Sequence, residues 1–263
     1  MKRFLMAASL AFSVVSCTQN PITGRSQLNL VSSNALNEEA KSQYAKFLSE
    51  NKVITSGNQA AMVKRVGSRI ASAIQSYYAS RGQQNVLSGF QWEFNLVDSK
   101  EVNAWCMPGG KVVVYTGLLP VTQNETALAI VLGHEITHAV AGHSNERMSQ
   151  VMLAQGLGDV TGALASGNAK ATSIFNNVYG PAASLGVILP NSRKQELEAD
   201  RFGLIFSAMA GYNPGEAVNF WKRMEANSQG KPPEFLSSHP ADDTRIAAIQ
   251  KNLPEAMKFY RKK

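Results

Sequence analysis

Cysteine, histidine and acidic residues are all scarce in this chain of 263 residues. Two cysteines exclude a disulfide framework. The apolar run at the N-terminus, Phe4 to Val15, is too short to cross a hydrocarbon core that needs about 20 residues. Asp and Glu number 19 against 26 Lys and Arg, for a net charge of +7. Loss of Lys2 and Arg3 with a cleaved leader lowers +7 to +5. The excess is spread along the chain, with only Arg261-Lys262-Lys263 as a short basic tail, so no nucleic-acid stripe is present and no nucleic-acid partner is expected. Hydrophobic residues make up 44%, enough for a globular core and too many for wholesale disorder. Of the four histidines, three fall between positions 134 and 143, and that cluster carries the chemistry.

Residues 1–16 have a charged start and an apolar run, the pattern of a signal peptide. Val14, Val15 and Ser16 directly before Cys17 resemble a bacterial lipobox, which implies lipidation of Cys17 and anchoring through the attached acyl chains. With no Asp after Cys17, the sorting rule of enterobacterial lipoproteins implies a bacterial outer-membrane location, facing the periplasm. Residues 17–34 are polar and turn-rich and read as a tether that joins the fold around Leu28. A single domain then spans 35–263. Cys106, beside Trp105, is expected to be an inert buried thiol.

Within that domain the fold class is α+β and mostly helical. Residues 35–50 and 58–80 read as helices; in the second, Val63, Val66, Ile70, Ile74 and Tyr77 recur every three or four positions. Phe90, Trp92, Phe94 and Leu96 alternate as a half-buried strand, and Lys111–Thr116 forms a second, giving a small sheet. Thr122 to Glu125 has the form of a capping box that starts a helix ending near Gly142. Residues 148–192 carry only two charges, Asp159 and Lys170, and read as a helical hairpin or lid beside the site. Helices follow at about 193–210, 214–226 and 241–252.

His134-Glu135-Ile136-Thr137-His138 is an HExxH pattern. Histidines four apart on a helix differ by about 40° in direction, so both can reach one metal, while Glu135 is offset by about 100° and can act on water without ligating. A catalytic zinc needs a third protein ligand. The metzincin pattern fails, because Ala141 and Ser144 stand where it requires Gly and His. Glu196, in a helix with a strong apolar run after it, is the better candidate. Glu198 lies about 200° around that axis, beside Lys194, Arg201 and Phe202, and suits a solvated ion pair. Asp200 shares the face of Glu196 and is placed to accept from the far nitrogen of a ligand histidine. His143 is expected to finish the HExxH helix as a cation near its carbonyl end.

HEITH, SRKQELEAD about sixty residues on, and His239-Pro240 with Arg245 together resemble the zinc metallopeptidases that include the CAAX prenyl proteases and HtpX. Asn103-Ala104 with Pro108-Gly109-Gly110, and Gly117-Leu118-Leu119, resemble the periplasmic branch with BepA and LoiP. The similarity covers roughly residues 21–250. The chain lacks the transmembrane helices of the first group and ends before the tetratricopeptide repeats of BepA, which leaves the LoiP-like lipoproteins. The resemblance implies a zincin-type peptidase domain with its sheet beside the HExxH helix. It also implies one zinc ion on His134, His138 and Glu196, with Glu135 as general base. His239 is implied either as an oxyanion donor or as a zinc ligand in a latent state, and Arg245 as a group that orients a carboxylate or the substrate. By the same analogy the Lys111–Thr116 strand, with Val113 and Tyr115, and Asn103 would hold an extended substrate. The implied activity is endoproteolysis of misfolded or stalled envelope proteins. The alternative is a latent zinc-binding chaperone that serves outer-membrane assembly machinery and cleaves rarely.

Overall fold

The computed structural model describes residues 17–154, 156, 160–179, 192–227, 235, 236, 239 and 243–261. The expected leader 1–16, Pro240 and parts of the low-charge stretch (155, 157–159 and 180–191) lie outside them. The chain begins with a hairpin of β1 (Cys17–Gln19) and β2 (Ser26–Leu28), followed by α1 (Ser33–Glu50), β3 (Val53–Ile54) and α2 (Asn58–Ala79). Next come β4 (Glu93–Val97), β5 (Ala104–Met107), β6 (Lys111–Tyr115), a short α3 (Leu119–Thr122), and α4 (Glu125–Val140), which holds HEITH. The remaining helices are α5 (His143–Ala154), α6 (Val160–Ala165), α7 (Ala169–Tyr179), α8 (Arg193–Met209), α9 (Glu216–Ala226) and α10 (Asp243–Met257). The expected mostly helical α+β architecture with a small sheet is what the structure has, with the β1-β2 hairpin as a separate two-stranded sheet.

The sheet has the order β3-β4-β6-β5, with β4 and β6 parallel and the other pairs antiparallel. β6 is buried on both faces, which is why it reads as an unbroken Val run rather than an alternation. Val112 and Val114 enter a core with α2, α4, α8 and α9; Val113 and Tyr115 enter a second core with α1, α5 and α7. This corrects the substrate strand. β6 is paired along both edges, and Val113 and Tyr115 are core residues under α1, so neither can meet a substrate. The edge strands are β3 and β5, and the four residues of β5 are too few to show an alternation in the sequence.

Three further readings change. The helix cap is Asn124, whose side chain accepts from Ala127 N at 2.9 Å, while Thr122 closes α3 instead. Residues 17–31 are no free tether: Asn20 and Gln27 are buried and both donate to Ala141 O at the end of α4, at 2.6 and 3.0 Å. In the low-charge stretch, Ile174, Phe175 and Val178 of α7 pack into the second core. No described helix is long and apolar enough to cross a membrane.

Two glycines let α4 and α8 approach closely. A Cβ at Gly133 would lie 2.7 Å from Gly203 O, and one at Gly203 would lie 2.8 Å from His134 N. On α8 the residues facing α4 are therefore Glu196, Asp200, Gly203 and Ser207, and Ser207 Oγ donates to Ala129 O at 2.9 Å. This seam carries the acidic residues of α8 to the histidines of α4.

Candidate metal centre

α4 ends at Ala141, followed by Gly142 in the left-handed conformation (φ 64°), as its sequence predicts. Glu196 sits in the first turn of α8, behind a capping box of Ser192 and Gln195, where the helix dipole favours a carboxylate. His134, Glu135, His138, Glu196, Asp200, His239 and Arg245 are all buried. His134 Nε2 lies 3.1 Å from His138 Nε2 and 3.1 Å from His239 Nδ1. Glu196 oxygens lie 3.4 Å from each of the first two nitrogens and 3.0 Å from His239 Nδ1. Ligands about 2.0–2.1 Å from a tetrahedral zinc stand about 3.3–3.4 Å apart, so this spacing suits one ion.

Hydrogen bonding makes the same point. His134 Nδ1 meets Asp200 Oδ1 at 2.8 Å, and His138 Nδ1 meets His143 Nδ1 at 2.9 Å. Each ring proton is used on the far side, which leaves the near nitrogens as converging bare lone pairs. A cation resolves that convergence, and the donor set of imidazole and carboxylate fits zinc.

Arg245 is fully enclosed. It donates to Asp200 at 2.7 and 2.9 Å, pairs with Glu196 Oε2 at 3.1 Å, and lies 3.8 Å from the Trp221 ring centre. It thus meets two carboxylates, Asp200 and Glu196. Burial raises the Asp200 carboxyl, but Arg245 and His134 more than offset this and hold it low. For Glu196, likewise, burial is outweighed by His239, Arg245 and His138, leaving it well below the usual range. Burial lowers His134, yet its bonds to Asp200 and Glu196 more than offset this and raise it to about 9. Glu135 is pushed up by burial, only partly offset by His239 and His134. Its Oε1 is buried without a hydrogen-bond partner, 3.4 Å from His239 Nε2. A carboxylate so placed is ready to take a proton.

The remaining residues fall as follows. Asn103 directly precedes β5, with its side-chain oxygen turned back to accept from Ala104 N at 2.9 Å. Cys106 packs on the α4 side of β5, and burial together with the Glu135 charge pushes its thiol well up, which keeps it inert. His143 does not finish α4 as a cation. It opens α5, is fully buried, and burial lowers its pKa. Glu198 is no solvated ion pair either: its side chain is 14% exposed and binds His143 and Arg25. Sequence reasoning missed His143, Glu198 and Arg25 as neighbours of the centre; only the spacing of His143 from HEITH hinted at it.

Comparison with known proteins agrees with this geometry. The profile of peptidase family M48 matches residues 58–253, well over half of the chain. The mitochondrial metalloendopeptidase OMA1 of Schizosaccharomyces pombe is 34% identical over 248 residues, covering 90% of this chain and 66% of the relative. Its human counterpart is 30% identical over 247 residues, covering 91% and 46%. A β-barrel assembly-enhancing protease of Yersinia pestis is 32% identical over 164 residues, covering 59% and 33%. The chain thus spans about a third to two thirds of the length of the mitochondrial relatives. The expected bacterial outer-membrane location is contradicted by this finding, because the relatives matching nine tenths of the chain are mitochondrial proteins. Membership of the expected lipoprotein branch is likewise not what these matches give; they give the family.

Proposed function

The chain belongs to peptidase family M48 and carries that family's zinc metallopeptidase domain, and we propose that the whole protein works as a zinc metalloendopeptidase on unfolded or misfolded proteins. One observation carries this reading: an unpartnered, buried Glu135 Oε1 beside converging lone pairs from His134, His138 and Glu196. His134, His138 and Glu196 would hold the zinc, which would supply Lewis acidity for attack of water on a peptide carbonyl. Glu135 takes the proton of that water on its carboxylate and returns it to the leaving amine, a task its raised pKa favours. Asp200 and Arg245 hold His134 and Glu196 in line. The edge strand β5, which packs against α4, rather than β6, offers the backbone edge for an extended substrate. Edge pairing reads main chain, which suits unfolded segments of varied sequence. Digestion of an unfolded protein by the purified chain tests this: cleavage is expected, lost with a chelator and restored by zinc. Cleavage unchanged by the chelator would refute it.

A specific observation also favours latency. His239 Nδ1 supplies a fourth donor, where catalytic zinc sites keep one position open. On this second reading His239 would hold the place a substrate needs. His239→Ala is expected to keep zinc and to raise basal cleavage of an unfolded protein several-fold. A loss of cleavage in that variant would instead make His239 an oxyanion donor.

Attachment to a membrane through an acylated Cys17 completes the proposal, supported by the residues 14–17. Wild type is expected to incorporate labelled fatty acid and to sediment with membranes, while Cys17→Ser does neither. A wild type that stays soluble and unlabelled would exclude the anchor.

A further inference from the structure

The two ligand histidines of α4 are supported from behind by different chains of groups. Behind His134 stands a carboxylate, Asp200, held in turn by Arg245. Behind His138 stands an imidazole. His143 Nδ1 lies 2.9 Å from His138 Nδ1, and His143 Nε2 lies 3.0 Å from Glu198 Oε2. Glu198 is gripped by Arg25, whose Nε donates to Glu198 Oε1 at 2.9 Å. The same guanidinium is bidentate to Glu146, at 2.6 and 2.7 Å. Gln195, next to Glu196, donates to Glu146 Oε2 at 2.8 Å and to His143 O at 3.2 Å. Both chains end on an arginine, but Arg25 lies in the N-terminal hairpin, a few residues after Cys17.

Proton positions along the second chain are forced. If His138 ligates through Nε2, its Nδ1 carries the proton and donates it. His143 Nδ1 must then be a bare acceptor, so the single proton of His143 sits on Nε2 and goes to Glu198. A doubly protonated His143 would set two N–H groups against each other at 2.9 Å. Neutral His143 in this one tautomer is the form that fits, and it needs an acceptor at Glu198. Arg25 keeps Glu198 in place on the helix face opposite to Glu196.

We propose that His143, anchored through Glu198 by Arg25, is a positioning residue for the metal ligand His138, so that docking of the N-terminal hairpin is coupled to metal affinity. The proposal rests on the reading of His138 as a zinc ligand. It adds a connection from the segment following Cys17 to the metal centre.

The test is zinc affinity by chelator competition, together with the visible spectrum of the cobalt-substituted protein. His143→Leu keeps bulk but removes both hydrogen bonds, and is expected to weaken zinc about 10- to 100-fold and to alter the cobalt bands. Gln can accept from His138 and donate to Glu198, so His143→Gln is expected to restore most of the affinity and the wild-type bands. Arg25→Met is expected to weaken zinc in the same direction by a smaller factor. Leu and wild type binding zinc alike would overturn the proposal, as would Gln falling as far as Leu, since the hydrogen bonds would then be irrelevant. Should His143→Leu fail to fold, the ring nitrogens of His143 in the zinc-loaded wild type decide by NMR. A proton on Nε2 and none on Nδ1 is expected, and a protonated Nδ1 would overturn the assignment. A wild type that binds no zinc at all would remove the underlying reading of the site, a failure separate from any difference among the variants.

Discussion

Glu135→Gln is expected to retain one zinc ion per chain and to cleave an unfolded protein more slowly by about 10²–10⁴-fold. The amide preserves the shape of the side chain, so packing beside His134 and β5 is unchanged. Glu135 is absent from the group of four donors, and its Oε1 accepts no hydrogen bond. What the substitution removes is a basic oxygen. In the wild type, burial raises that carboxyl, while the nearby His239 and His134 keep the shift in check. Gln cannot take a proton from water, so binding of metal and substrate should persist while hydrolysis fails. Zinc analysis and digestion rates measured on the same preparations check this, and equal rates for the two proteins would contradict the role.

Glu196→Ala is expected to empty the site. Glu196 is the one carboxylate among the four donors, and its charge also faces Arg245 at 3.1 Å. Its removal leaves His138, which burial discharges, and an Arg245 guanidinium still paired with Asp200. Losing one partner of a buried ion pair costs about 3–5 kcal/mol, so a lower melting temperature should accompany the loss of zinc. Asp200→Ala keeps all four donors but frees the His134 ring, and about 10- to 100-fold weaker zinc binding is expected. Glu198→Ala leaves the donors intact as well and acts only through His143, so it should retain zinc where Glu196→Ala does not. Metal content by elemental analysis separates the three. Zinc retained in Glu196→Ala but lost in Glu198→Ala would contradict the assignment of the α8 face.

The parts of the site that were legible in the sequence are those fixed by one helix. HEITH puts two imidazoles on one face of α4, and ELEAD puts Glu196 and Asp200 on one face of α8, so local periodicity was sufficient. Strands β4 and β6 were legible because each is long enough to alternate or to run apolar. β5 was not, with four residues bounded by Asn103 and a Pro-Gly-Gly turn. His143 was misread because its burial depends on Glu198 and Arg25, 55 and 118 positions away, and a lone histidine after a helix looks the same whether it is solvated or enclosed. The docking of residues 17–31 was hidden for a related reason. Asn20 and Gln27 are polar and read as loop residues, yet they are buried because the open carbonyl of Ala141 needs donors.

Anomalous scattering at the zinc edge, from crystals of the zinc-loaded protein, tests the central claim most directly. One peak is predicted, about 2.0–2.2 Å from His134 Nε2, His138 Nε2 and a Glu196 oxygen. A peak elsewhere in the fold, or none between these three side chains, would contradict it.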